Sequence, residues 1–174
     1  MSKIHIVYGE QGAGKTTYAQ QLADKEKATT FSIDEWMAEL YTPDLPQPLD
    51  FTWIMERVKR CENRIGMIAI DIATNGGTVV LDLGFMKIED RARFRSLARD
   101  NGLAVQLHFV TAARHLRRQR VLSRNNIKGE TFSFEVSPQM FDFMETQFES
   151  PTSEESGLSI FVDTQENSME GLTP

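Results

Sequence analysis

The sequence predicts an open α/β fold: one sheet of five parallel strands with helices on both faces. Three observations carry this. Short apolar runs alternate with helical patterns along the chain, the arrangement of a parallel sheet covered on both sides. The first run, Ile4-His5-Ile6-Val7-Tyr8, leads straight into a glycine-rich turn and a helix. A second, Thr78-Val79-Val80-Leu81-Asp82, is rich in β-favouring residues and ends in a carboxylate. At 174 residues the chain is long enough to bury a substantial core as one domain. That domain is expected over 1–164, followed by a polar tail at 165–174.

The elements follow in order. Thr16–Lys27 carries Tyr18, Ala19, Leu22 and Ala23 at helical spacing. Ala28–Ile33 reads as a short second strand running into a helix, Asp34–Leu40, that Ser32 or Asp34 can cap. Thr42–Pro48 holds three prolines and is a loop. Asp50 caps a longer helix with Ile54, Val58, Ile65, Ile68 and Ile72 on one face, stopped by Asn75-Gly76-Gly77. Lys87–Asn101 is a basic helix closed by Gly102, and Leu103–Val110 is an apolar strand. Ala112–Asn125 is an arginine-rich helix, and 126–137 reads as a loop. Pro138 begins a helix through Met140, Phe141, Met144 and Phe148, whose apolar stripe suits a core face. Leu158–Val162 is the last strand.

Gly9-Glu10-Gln11-Gly12-Ala13-Gly14-Lys15-Thr16 fits the phosphate-binding pattern G-x-x-x-x-G-K-[ST] without a mismatch, between a strand and a helix as that motif requires. Such a turn places backbone N–H groups around an anion-sized hollow. Gly9, Gln11, Gly12, Ala13, Gly14, Lys15, Thr16 and Thr17 are the expected nucleotide-binding residues. Lys15 has the reach for β- and γ-phosphate oxygens, and Thr16 and Asp82 are the expected Mg²⁺ ligands. Ligands of such sheets sit beyond the carboxyl ends of the strands, which gathers the loop, Asp34 and Asp82 at one edge. Asp34 is there a candidate to accept a proton from an attacking hydroxyl. Arg117, Arg120 and Arg124 share a helix face, and Arg120 and Arg124 are the ones placed toward the cleft. Arg114, Arg118 and His115 read as solvated, Glu35 as pointing away, and His5 and His108 as packed in strands.

Composition excludes several classes. A single cysteine, Cys61, leaves no intramolecular disulfide and no four-cysteine zinc site. No stretch approaches a membrane span or a signal peptide, so the chain reads as cytoplasmic. The net charge of −6 is unevenly spread. Residues 87–128 hold eleven Lys/Arg against three Asp/Glu, and residues 129–174 hold ten Asp/Glu and no Lys or Arg. The basic block suits local phosphate binding, and the acidic remainder argues against coating a long nucleic acid.

These residues together resemble the P-loop kinase family that contains phage polynucleotide kinase, the zeta toxins and chloramphenicol phosphotransferase, including small bacterial AAA-type ATP-binding proteins. The resemblance is carried by Gly9 to Thr17, Ser32-Ile33-Asp34-Glu35-Trp36, Val79 to Phe85, Arg120 to Asn125, and Phe148-Glu149-Ser150-Pro151. It implies a P-loop NTPase sheet in the order 2-3-1-4-5 and a mobile lid containing the arginine helix. It also implies ATP with Mg²⁺ as cofactor, Asp34 as general base, Arg120 and Arg124 on the phosphates, and Phe148 to Pro151 near the adenine. The segment Glu35-Trp36-Met37 lacks the arginine that polynucleotide kinases carry there, and Tyr41–Phe51 has no basic residue.

The expected activity is therefore transfer of the γ-phosphate of ATP to a hydroxyl of a small molecule. Asp34, Lys15, Arg120 and Arg124 are its catalytic residues. Trp36, Tyr41, Phe51 and Trp53 make the acceptor wall aromatic, as a nucleoside, sugar nucleotide or antibiotic-like acceptor would suit. Two alternatives stand beside it: a polynucleotide 5′-hydroxyl kinase, supported by the basic block, and an ATP-hydrolysing switch or partner-binding module that phosphorylates nothing. No Asn-Lys-x-Asp motif is present, which favours ATP over GTP.

Overall fold

The computed structural model describes residues 3–124 and 136–165; the expected tail beyond 165 and most of the expected 126–137 loop lie outside them. The strands are β1 (Lys3–Tyr8), β2 (Thr29–Ser32), β3 (Val79–Asp82), β4 (Ala104–Thr111) and β5 (Ser159–Asp163). They form one parallel sheet in the order β2-β3-β1-β4-β5, as the resemblance implies. The helices are α1 (Lys15–Glu26), α2 (Ile33–Tyr41), α3 (Phe51–Thr74), α4 (Ile88–Asp100), α5 (Arg114–Arg124), α6 (Pro138–Gln147) and α7 (Ser153–Leu158).

Strand alternation sends side chains to two separate cores. Ile4, Ile6, Tyr8, Leu81 and Leu107 face one side and pack with Ile65 and Ala69 of α3 and Phe94 and Ala98 of α4. Val7, Val80 and Val110 face the other and pack with Ala19, Leu22 and Ala23 of α1. Cys61 lies buried in the first core. Register then fixes the functional edge. Ser32 pairs with Asp82, and Thr111 with Asp163; Ile6 of β1 pairs with both Leu81 and Leu107, so β4 and β5 run on past the ends of β2 and β3 at the same edge of the sheet.

Local departures from the sequence reading have local causes. Ser32, not Asp34, caps α2: its hydroxyl accepts from the Glu35 N–H, which leaves Asp34 inside the first turn. The 42–48 loop begins with a short 3-10 turn, Thr42–Asp44. Helix α7 has no counterpart in the sequence reading, although Thr152 and Glu155 form a reciprocal capping box, a pattern visible as Thr152-Ser153-Glu154-Glu155. Of the apolar stripe expected along α6, Phe141 is buried and Met140, Met144 and Phe148 are half-buried, while Phe143 on another face of the helix is exposed. His5 and His108 are buried as expected, with His5 Nδ1 and His108 Nε2 hydrogen-bonded at 2.8 Å, and His108 Nδ1 bonded to the Tyr18 hydroxyl.

Candidate nucleotide and phosphoryl-transfer site

The phosphate-binding turn closes tightly between β1 and α1. Gly9 adopts φ 151°, and a Cβ there would lie 1.9 Å from the Val110 carbonyl oxygen, so only glycine fits against β4. Gly12 has φ 78°, and a Cβ would meet the Arg117 carbonyl oxygen at 2.5 Å. Gly14 is the N-cap of α1 and offers no side chain to its N–H groups, and the first turn holds no acid. The donors at this helix start are thus left for an anion, which the helix dipole also favours. Gln11 is half-buried, Ala13 is buried, and Thr17 is exposed beside Thr16 on the first turn.

The charged groups converge on this hollow. The Thr16 hydroxyl donates to Asp82 Oδ2 at 2.7 Å, joining the helix start to the end of β3. Lys15 folds back and donates to the Glu10 carbonyl oxygen at 3.0 Å. Burial pushes the Lys15 ammonium below the usual lysine range, while the charges of Asp82, Asp34 and Glu10 draw it up and Arg124 draws it down. Asp82 is buried, and burial raises its carboxyl, opposed by Lys15, Thr16 and Arg124. Asp34 is exposed along the rim, so its shift is partly screened by water. The atoms around its carboxyl, and then the charge of Asp82, nevertheless push it up to about 6 against Lys15 and Arg124. Lys15, Asp34, Asp82 and Arg124 therefore share one electrostatic field, from four elements far apart in sequence.

Thr16 Oγ1 and the Asp82 carboxylate are hard oxygen donors within 2.7 Å of each other. That donor set fits Mg²⁺, which takes one or two protein oxygens and completes its octahedron with water and phosphate. Among the described residues no group of three or more His, Cys, Asp or Glu could hold a metal ion by itself.

The arginine helix divides by role. Arg117 is buried, donates twice to Glu145 at 2.5 and 2.8 Å, and reaches the Gln11 carbonyl oxygen at 3.3 Å. Arg120 is half-buried. Its guanidinium donates to the Gly12 carbonyl oxygen at 3.4 Å and to Thr164 Oγ1 at 2.8 Å. Arg124, at the end of α5, is exposed. Arg114 and His115 are exposed as expected, whereas Arg118 is half-buried.

Phe148 to Pro151 is tied to the start of α4. The Ile88 N–H donates to Glu149 Oε2 at 2.8 Å, and Phe148 stacks on Phe109. Of the expected acceptor wall, Trp36, Tyr41 and Trp53 are half-buried against the core. Phe51 is exposed and shares a shallow surface hollow with Met55 at the start of α3, and Leu40 and Leu49 are exposed as well. Thr164 is a contact residue the sequence reading did not nominate. Its only sequence signal is its position just past the end of β5, at the edge where ligands sit.

The AAA domain family model (AAA_33) matches residues 4–151. No curated protein matches the chain. Among solved structures, a kinase candidate from Chloroflexus aurantiacus is similar at TM-score 0.75 and 20% identity, covering 97% of this chain and 91% of its own. The APS kinase CysC of Mycobacterium tuberculosis, solved with AMPPNP and APS, is similar at TM-score 0.64 and 17% identity over 98% and 95% of the two chains. Kti12 of Chaetomium thermophilum, in complex with ADP-AlF3, is similar at TM-score 0.67 and 16% identity over 92% and 89%. With the family model spanning most of the chain and this strand order beneath it, the protein belongs to the AAA domain family and has the P-loop kinase fold.

Proposed function

We propose that the protein is an ATP- and Mg²⁺-dependent kinase that transfers the γ-phosphate to a hydroxyl of a small molecule, of nucleoside, sugar-nucleotide or antibiotic-like type. The carrying observation is Asp34: a carboxyl in the same field as Lys15, Asp82 and Arg124, at the open end of the sheet, and pushed up to about 6 there. A hydrolytic switch has less use for such a group, whereas hydroxyl attack needs a proton acceptor.

In this reading the amide groups from Gly12 to Thr16 seat the phosphates, and Lys15 leaves the Glu10 carbonyl for their oxygens. Thr16 and Asp82 would hold Mg²⁺, which would supply positive charge against the phosphates. Asp34 takes the acceptor proton, and Arg124 faces the charge that spreads over the transferring group. Arg120 supports the loop from the other side. In this reading the exposed Phe51 and Met55 at the start of α3 give the acceptor side an apolar contact surface. That surface supports a small acceptor with an apolar or stackable part. Support for a polynucleotide is reduced, because much of the basic block is paired with carboxylates.

The test is ATP consumption with a pooled library of nucleosides, sugar nucleotides, aminoglycosides, amphenicols and short 5′-hydroxyl oligonucleotides, with products read by mass spectrometry. Wild type should yield one product heavier by one phosphoryl group. Asp34→Asn should lower that yield by about 100-fold or more, the range of a lost general base, with ATP still bound. Slow hydrolysis without product, indifferent to Asp34→Asn, would replace the kinase with the switch.

A further inference from the structure

A phosphate-binding turn presents its N–H groups inward only when its carbonyls are held outward by something else. Here three consecutive carbonyls each meet a side-chain donor. Gln11 O accepts from Arg117 Nη1 at 3.3 Å, Gly12 O from Arg120 Nη1 at 3.4 Å, and Ala13 O from Thr164 Oγ1 at 2.8 Å. The last two donors are themselves joined. Arg120 Nη1 donates to Thr164 Oγ1 at 2.8 Å and Nη2 to the Thr164 carbonyl oxygen at 3.3 Å. The Thr164 N–H is fixed in turn by the Thr111 carbonyl oxygen at 3.0 Å, which anchors the arrangement to β4.

Two further details separate Arg120 from its neighbours. Arg117 is neutralised by Glu145, but among the described residues the hydrogen-bond partners of Arg120 are neutral oxygens. Its positive charge therefore adds to the field of an anion-binding turn without a carboxylate to cancel it. Thr164 also packs its methyl toward the turn: a Cβ on Gly14 would lie 3.4 Å from Thr164 Cγ2.

We propose that Arg120 and Thr164 are a positioning pair. Arg120 acts through Thr164 and the Gly12 and Ala13 carbonyls to hold the loop ready for phosphate, and Arg124 alone of the two arginines faces the transferring group. The pair also couples α5 to the loop, so that occupancy of the loop is felt by the helix that carries Arg124. This rests on the nucleotide-binding part of the kinase reading and is independent of the acceptor.

The experiment is calorimetric binding of Mg·ADP to wild type, Arg120→Met, Thr164→Val, Thr164→Ser and the Arg120→Met/Thr164→Val double variant. Thermal melts check that each is folded. Each single change that removes the link should weaken ADP about tenfold, a magnitude typical of one lost hydrogen bond to a charged group. The double variant should be no weaker than about the worse single, because the two residues work as one unit. Thr164→Ser, which keeps the hydroxyl, should bind close to wild type. Arg120→Met should lose affinity more than it loses intrinsic ATP turnover at saturating ATP. Wild-type affinity in Thr164→Val would overturn the proposal, as would simple additivity in the double variant. So would an Arg120→Met protein with unchanged affinity and collapsed turnover, which would return Arg120 to the phosphoryl group. Failure of the wild-type protein to bind ADP would remove the nucleotide reading itself, and this inference with it.

Discussion

A carboxyl that takes a proton from an alcohol works best with a pKa near the operating pH, and the proposed role asks this of Asp34. Ser32 already caps α2, so the Asp34 oxygens are not spent on the helix start. The atoms packed around its carboxyl and then the charge of Asp82 raise its pKa to about 6, and Lys15, Arg124 and water at the exposed rim limit the rise. A base acts in its ionised form, so kcat/KM should climb with pH through about 6 and level off above 7. Asp34→Glu should keep such an acid limb, and Asp34→Asn should abolish it along with most of the rate. A pH–rate profile measures this, and a flat wild-type profile from pH 5 to 7.5 would remove Asp34 as the base. Linkage gives the opposite sign for stability. The folded chain holds a proton on Asp34 that the unfolded chain, near pKa 3.8, has released, so this contribution is lost as pH rises from about 4 through 6.

Helices α4 and α7 are joined by a buried ion pair that decides how the far side of the sheet is closed. Arg91 is fully buried and donates to both carboxylate oxygens of Glu155, at 2.7 and 3.0 Å, to the Phe85 carbonyl oxygen at 3.0 Å and to the Glu149 carbonyl oxygen at 3.1 Å. Its guanidinium also lies over the Tyr8 ring, 4.7 Å from the centroid. Glu155→Gln keeps the shape and removes the charge, leaving Arg91 buried without its counter-ion. That should cost about 3–5 kcal/mol, read as a lower midpoint in urea with an unchanged slope. A loss under about 1 kcal/mol would mean that the two backbone carbonyls suffice for Arg91. Nothing in the sequence marks Arg91, which looks like one more arginine on a basic helix. Burial of a charge depends on a partner 64 positions away. Elements with local signals were legible: the apolar run into Gly9, the Asp50 cap confirmed by its bond to the Thr52 N–H, and the Asn75 stop of α3. Helix α7 had a local signal in its capping box, but its six residues are too few to show a helical period.

Charge at the scale of the whole molecule runs differently from charge along the chain. In sequence, a basic block at 87–128 precedes an acidic stretch at 129–174, as if the two faced different partners. Folding zips one onto the other. Lys87 meets Glu149, Arg91 meets Glu155, Arg95 meets Glu154, Arg114 meets Asp142, and Arg117 meets Glu145. Arg93 pairs with Glu62 on α3 instead. The site itself was more legible than this, because the loop motif, Asp34 and Asp82 are all placed at one edge by strand direction alone. Arg120 was not, since a helix face specifies a direction and not which carbonyl ends it. Pairing also bears on the acceptor. A polynucleotide track needs several cations free for phosphates, and each one engaged makes binding steeper in salt, by about 0.7 per phosphate for a single strand. Lys15, Arg120 and Arg124, cations near the loop among the described residues, are the ones the proposed reading gives to the nucleotide and its loop. Binding of a 5′-hydroxyl oligonucleotide should therefore be weak, with log K falling against log salt at a slope of about −1 or shallower in fluorescence-anisotropy titrations. A slope of about −4 or steeper with submicromolar affinity would show a phosphate track on this surface and move the acceptor from a small molecule to a nucleic-acid end.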